Sequence, residues 1–145
     1  MPNIPFEDLL LKRYTHWDLY LHEQQQYLGR CYAALKSGEE VDPFTLPVEI
    51  QLDFNVGVIN EVRHCFDQLF APRMYNYANL RNTWRVCHWH IIPRHELTKE
   101  FAGFTFEDRR PTKNYTPYLD LPQPGDEVIF KIRDAIREAL PAAVR

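Results

Sequence analysis

Apolar and imidazole side chains alternate through Cys87-His88-Trp89-His90-Ile91-Ile92-Pro93-Arg94. Alternation with a period of two is the mark of a strand buried on one side, so His88 and His90 share a face while Cys87, Trp89 and Ile91 point into a core. Any fold that accepts this run needs a sheet with one covered face and one face free for chemistry. Two convergent imidazoles fit three readings: a metal site, a nucleophilic site or a structural pair. The metal reading needs a third ligand from His64, Cys65, His95 or Cys87. None stands at a recognisable ligand spacing, and Cys87 alternates to the opposite face.

The rest of the chain predicts a mixture of sheet and helix. Phe6 to Tyr14 is expected as a short helix, and Leu19 to Leu28 and Arg30 to Leu35 as strands turning at Gly29. From Thr45, an expected N-cap with Pro47 in the first turn, residues Leu52, Val56, Ile59, Val62, Phe66 and Leu69 recur at helical spacing until Pro72 stops the pattern. His64 within that helix reads as a partly exposed histidine rather than a ligand. Met74 to Leu80 alternates in strand fashion, and with the motif strand Val86 to Ile92 predicts an antiparallel hairpin turning at Asn82-Thr83. Asn79 and Asn82 then lie near the histidines, either binding phosphate oxygens and fixing a ring or stabilising the turn.

Glu96 to Gly125 shows no clear periodicity. Its Phe101, Phe104, Phe106, Tyr115 and Tyr118 can pack, while Arg109, Arg110, Lys113 and Asn114 either offer phosphate or base contacts or form a solvated surface. Asp126 is expected to cap an amphipathic helix in which Val128, Ile129, Ile132, Ile136 and Leu140 share a face and which Pro141 ends.

The length of 145 residues, with 45% hydrophobic and 14% aromatic content, suits one domain over residues 1–145 and argues against disorder. Seventeen basic against twenty acidic residues give a formal charge of −3, which supplies no overall positive field for nucleic acid or an anionic membrane. The first residues carry no apolar run of signal-peptide length and no later segment is long enough to span a bilayer, so a cytoplasmic location is expected. Cys31, Cys65 and Cys87 are odd in number and sit in apolar surroundings, which reads as buried free thiols.

The run from Asn76 through Tyr77, Asn79, Leu80 and Asn82 to His88-Trp89-His90-Ile91-Ile92-Pro93-Arg94 resembles the signature of the histidine triad superfamily of nucleotide hydrolases and transferases. The resemblance extends back through Leu21 to Tyr32 and forward through Phe101-Ala102-Gly103 and Lys113 to Tyr118, as in small bacterial members, and covers most of the chain. Family members carry three histidines at alternate positions, but here Val86 holds the first place. By resemblance His88 is the nucleophile, oriented by the Val86 main-chain carbonyl, and His90 contacts phosphate. Where relatives tend to have glycine and proline, this chain has Arg81 and Arg85 with Trp84 between them; these arginines either add a phosphate contact or fill its space. Arg30 is a candidate for phosphate or ribose, or a structural arginine. Arg94 is expected to order the substrate or the strand end, and His95 to lie at the surface.

The resemblance implies an α+β fold with an antiparallel sheet and packed helices, a homodimer, a nucleotide substrate and no cofactor. The implied activity is metal-independent hydrolysis or nucleotidyl transfer on dinucleoside polyphosphates or related nucleotidyl conjugates, through a covalent nucleotidyl-histidine at His88. Val86 is expected to lower activity or change substrate choice without abolishing chemistry. A catalytically weakened nucleotide-binding protein and a metal-dependent His-x-His enzyme are the alternatives.

Overall fold

Five antiparallel strands divide the molecule into a covered side and a site side. The computed structural model describes residues 4–115 and 121–142. Strands β1 (Leu10–Arg13), β2 (Trp17–Leu21), β3 (Cys31–Leu35), β4 (Met74–Ala78) and β5 (His88–Arg94) lie in the order β1-β2-β3-β5-β4. Tyr20 is opposite Tyr32, Tyr32 opposite His90, and His90 opposite Ala78, so one row of the pleat crosses four strands. Residues two apart share a face. Trp17, Leu19, Leu21, Cys31, Ala33, Leu35, Cys87 and Ile91 are all buried in the core cluster. The opposite face carries Tyr20, Tyr32, His88 and His90.

Helices close the core side. Between β3 and β4 the chain runs through α1 (Val48–Leu52), a π-helical stretch Asp53–Val58 and α2 (Ile59–Leu69), with helical dihedrals maintained across both junctions. Phe54, Val58, Val62, Cys65 and Phe66 turn inward, and Phe54 stacks on half-buried Trp89 at 5.3 Å between centroids. Helix α3 (Asp126–Ala139) buries Ile129, Ile132 and Ile136 completely. Each such aliphatic side chain removed from water contributes about 1.5–3 kcal/mol. A separate hairpin, β6 (Lys99–Phe101) and β7 (Phe104–Phe106), turns at Ala102 and Gly103, whose φ of 52° and 79° give the two positive values of a type I′ turn.

The predicted α+β class, with an antiparallel sheet and packed helices, holds. Several boundaries differ from expectation. Phe6–Leu9 is a single 3-10 turn and Leu10–Arg13 is strand, because pairing with β2, with Leu10 opposite Tyr20, Lys12 opposite Leu19 and Arg13 opposite Asp18, outweighs helix propensity there. The strand expected over Leu19 to Leu28 stops at Leu21; buried Gln25 bonds the carbonyls of His22 and Arg30 and folds residues 22–30 into a loop. Gly29 does turn the chain, at φ 89°, packed where a Cβ would meet Pro93, Phe66 and Phe70 at 3.2–3.3 Å. Thr45 lies in a 3-10 turn capped by Asp42, and the long helix begins at Val48. Asp126 is the first residue of α3 rather than its cap, which is Gly125. The β4–β5 hairpin forms, but its connection runs over residues 79–87 instead of a tight turn at Asn82-Thr83. Tyr118 falls outside the described residues.

The three cysteines are free and buried. Among the described residues no helix is long and apolar enough to cross a membrane.

Candidate functional site

The face opposite the core opens into a cavity of about 450 Å³, within the range of small-molecule sites. Its floor is the sheet. His88 and His90 come from β5, Tyr32 from β3, and Arg30 from the residue before β3. His22 completes the floor from the residue after β2, where its N–H donates to the Arg30 carbonyl at 2.9 Å and extends the β2–β3 ladder by one rung. The walls are the 80–84 loop, the N-terminal Ile4, Phe6 and Leu9, and Tyr115.

His88 is 6% exposed, and its Nδ1 lies 2.7 Å from the Val86 carbonyl oxygen. A carbonyl only accepts, so Nδ1 carries a proton, and in the neutral ring Nε2 then holds the lone pair. That is the state a nucleophilic imidazole needs. Trp84 lies against the ring, with centroids 4.6 Å apart, and His90 stands edge-on at 4.9 Å.

Burial, with Arg30 and His88 nearby, pulls His90 down to about 4, so it is neutral at pH 7. Its buried Nδ1 has no hydrogen-bond partner among the described residues. Burial also holds the neighbouring His22 well below the usual histidine range, with Arg30, His90 and His88 adding to the effect in that order. The Gln24 N–H donates to His22 Nδ1 at 3.0 Å, which puts the proton of the neutral ring on Nε2. Arg30 is buried, and its guanidinium lies 5.6 Å from the centre of the Tyr115 ring. Against the cations Arg30 and Arg81 the described lining sets one carboxylate, Glu23, so the field favours an anion.

Of the residues singled out in the sequence, His88, His90, Arg30 and Asn82 meet in this cavity, and Arg81 and Trp84 join them. Arg85 is exposed and lies outside the lining. Asn79 turns away, donating to Cys87 Sγ at 3.6 Å. Arg94 also leaves the histidine cavity. It is 2% exposed and pairs with Asp108 at 2.6 Å, while also donating to Asn76 Oδ1 and the carbonyls of Lys113 and Arg110. Of its two expected roles, ordering the strand end is the one these contacts serve. His95 is buried rather than at the surface, 3.3 Å from the Leu28 carbonyl. His64 is exposed on α2. No group of three or more His, Cys, Asp or Glu able to hold a metal ion occurs among the described residues.

His22 was not singled out by the motif, yet its alternation with Tyr20 was a usable signal. If Tyr20 shares a face with the histidines, so does a residue two further along.

No family model and no curated protein matches the sequence. Solved structures share its fold. A histidine triad protein from Bradyrhizobium japonicum aligns with a TM-score of 0.68 at 16% identity, over 92% of this chain and 92% of that one. A histidine triad protein from Sinorhizobium meliloti 1021 aligns with a TM-score of 0.70 at 16% identity, over 91% of this chain and 89% of that one. A hypothetical histidine triad nucleotide-binding protein from Sulfolobus tokodaii gives a TM-score of 0.62 at 16% identity, over 90% and 82% of the two chains. The chain therefore has the histidine triad fold.

Proposed function

We propose that this protein of histidine triad fold is a nucleotide hydrolase or nucleotidyl transferase, acting on dinucleoside polyphosphates or related nucleotidyl conjugates through His88. The observation that carries the reading is the hydrogen bond from His88 Nδ1 to the Val86 carbonyl, which leaves Nε2 as a lone-pair donor at the floor of a cationic cavity. His88 Nε2 attacks the α-phosphorus, forming an N–P bond while the bond to the leaving oxygen breaks and that oxygen keeps the electron pair. Water then attacks the phosphorus, the N–P bond breaks, and the mononucleotide departs with His88 restored.

His90 is neutral and its ring lines the cavity, which suits a hydrogen bond to a phosphate oxygen that arrives with substrate. Asn82 and Arg30 supply further donors to the charge that develops. The path needs no metal. Its test is release of mononucleotide from diadenosine polyphosphates and adenylyl conjugates in the presence of a chelator, with His88→Ala alongside. Turnover that the variant retains would overturn the mechanism.

A second reading rests on Trp84 and Arg81. The Trp84 ring covers His88 and Arg81 lines the cavity beside it, features that suit a nucleotide-binding protein with weakened chemistry. Saturable binding without turnover favours it.

We also propose that two copies pair. Among the described residues the β4 edge has no sheet neighbour beyond it, and Met74 and Tyr77 are exposed along it. An open edge with apolar side chains is suited to another copy of the chain. Sedimentation at several concentrations tests this, with monomer throughout as the contrary result. Buried free thiols fit the reducing, cytoplasmic compartment expected from the sequence.

A further inference from the structure

We propose that Trp84 acts through His88: its indole face stabilises positive charge on the imidazole, the charge that the ring acquires when Nε2 bonds to phosphorus. The inference rests on the reading of His88 as the nucleophile and adds a positioning residue from outside the motif strand.

The charge follows from the tautomer. In the neutral ring Nδ1–H donates to the Val86 carbonyl at 2.7 Å and Nε2 holds the lone pair. When that lone pair forms the N–P bond, the leaving oxygen takes the electron pair of the broken P–O bond. The Nδ1 proton stays in place, so the imidazole passes from neutral to cationic. Water then attacks the phosphorus and loses its proton to solvent, the N–P electron pair returns to Nε2, and the ring is neutral again. Both transition states carry part of the positive charge.

The surroundings of the ring differ in what they do to that charge. Arg30 and Arg81 line the cavity against Glu23, the one carboxylate of the described lining, and this field opposes a new cation. His90, edge-on at 4.9 Å, and the nearby His22 are held neutral by burial and supply no countercharge. Two groups favour the cation. One is the Val86 carbonyl. The other is Trp84, whose ring centroid lies 4.6 Å from that of His88 with 36° between the planes. An aromatic face attracts a cation within about 6 Å of its centroid, and tryptophan does so best. His88 is 6% exposed, so water screens the contact little.

The indole is also held in place. Tyr32 stands nearly perpendicular to both rings, 6.0 Å from Trp84 and 6.4 Å from His88. The connection between β4 and β5 is tied to the segment after β3 on either side of residue 84. The Cys87 N–H donates to the Glu39 carbonyl at 3.0 Å, and Arg81 reaches Asp42 at 3.8 Å. Trp84 is 46% exposed, so core packing does not account for its position.

The experiment replaces residue 84 alone by mono-, di- and tetrafluorinated tryptophan, rings of nearly equal size whose faces are progressively less negative. Trp84→Phe and Trp84→Leu are made beside them. Three quantities are measured: the single-turnover rate of mononucleotide release from diadenosine triphosphate, the affinity for adenosine 5′-monophosphate, and the midpoint of the His88 ring titration followed by NMR. The rate and the midpoint should both fall stepwise with fluorine number. The tetrafluorinated ring should slow release about 2- to 30-fold and leave monophosphate affinity within about twofold. Trp84→Phe should keep part of the rate that Trp84→Leu loses.

A rate or a midpoint that ignores fluorine number overturns the inference, since packing alone responds to size. A Trp84→Leu variant faster than wild type also overturns it and marks the indole as an obstruction. The midpoint is read without turnover. Stepwise midpoints in proteins that release no mononucleotide support the contact and overturn nucleotidyl transfer, so the two failures are distinguishable.

Discussion

Val86 supplies through its carbonyl oxygen the hydrogen bond that orients His88, at 2.7 Å from Nδ1. The position that lacks an imidazole therefore still sets the tautomer of the next one, because the contact is made by backbone that any residue carries.

Removing the His88 imidazole takes away the atom proposed to bond phosphorus. His88→Ala should lower kcat on a diadenosine polyphosphate by at least about a thousandfold while nucleotide affinity stays within a few-fold. Single-turnover kinetics beside equilibrium titration checks both halves, and a variant with near-normal kcat would show that another group does the chemistry.

Restoring an imidazole at Val86 leaves the orienting carbonyl in place. Val86→His should raise kcat/KM by up to about tenfold or change the order of preferred substrates, with His88 still required. Identical kinetics for both proteins across a substrate panel would mean that residue 86 acts through its backbone alone.

Acid should destabilise the fold through its buried neutral imidazoles. His90 titrates near 4 when folded, below the ordinary 6.5, mainly because of burial, and His22 and His95 are lowered in the same sense. Below 6.5 the unfolded chain binds protons that the folded one refuses. Stability is therefore full above that pH and falls as the pH drops toward 4. The His90 contribution is at most about 3 kcal/mol. Denaturation midpoints at pH 7 and 5 should differ less for His90→Asn than for wild type, and equal differences would rule out His90 as a source.

Asp108 and Arg94 form a buried pair, each side chain 2% exposed. Asp108→Ala leaves the guanidinium buried without its countercharge, a loss of about 3–5 kcal/mol by analogy with other broken buried pairs. Because Arg94 also holds the carbonyls of Arg110 and Lys113, the segment leading to Tyr115 in the cavity wall should loosen too. Urea denaturation reads the first effect and a raised KM the second. A midpoint within experimental error of wild type counts against this account.

Much of this architecture was legible because it follows from local periodicity. Alternation through Cys87–Ile91 assigned both faces of β5, and helical spacing from Leu52 to Leu69 found the long helix although a π-helical stretch interrupts it. The failures have separate causes. Leu9 to Tyr14 is short and apolar enough to suit either helix or strand, and only pairing with β2 decides between them. Strands β6 and β7 span three residues each, too few to show a period. The Arg94–Asp108 pair joins residues 14 apart through space, and the burial of His95 against Leu28 depends on a contact 67 positions away. His22 was hidden for another reason. A motif read along one strand gives no hint of what its neighbour two strands away contributes across the pleat.

That pleat separates two kinds of change. Side chains that line the cavity and side chains that fill the core occupy alternate positions and meet different surroundings. Single replacements on the open face, such as valine for an imidazole, leave the packing beneath untouched, so the scaffold can change the chemistry of its cavity by substitution alone. An inserted or deleted residue within β5 would exchange the two sets at once, turning imidazoles into the core and Cys87 and Ile91 outward. The protein is thus tolerant of variation in residue type at the site and intolerant of variation in strand length beneath it.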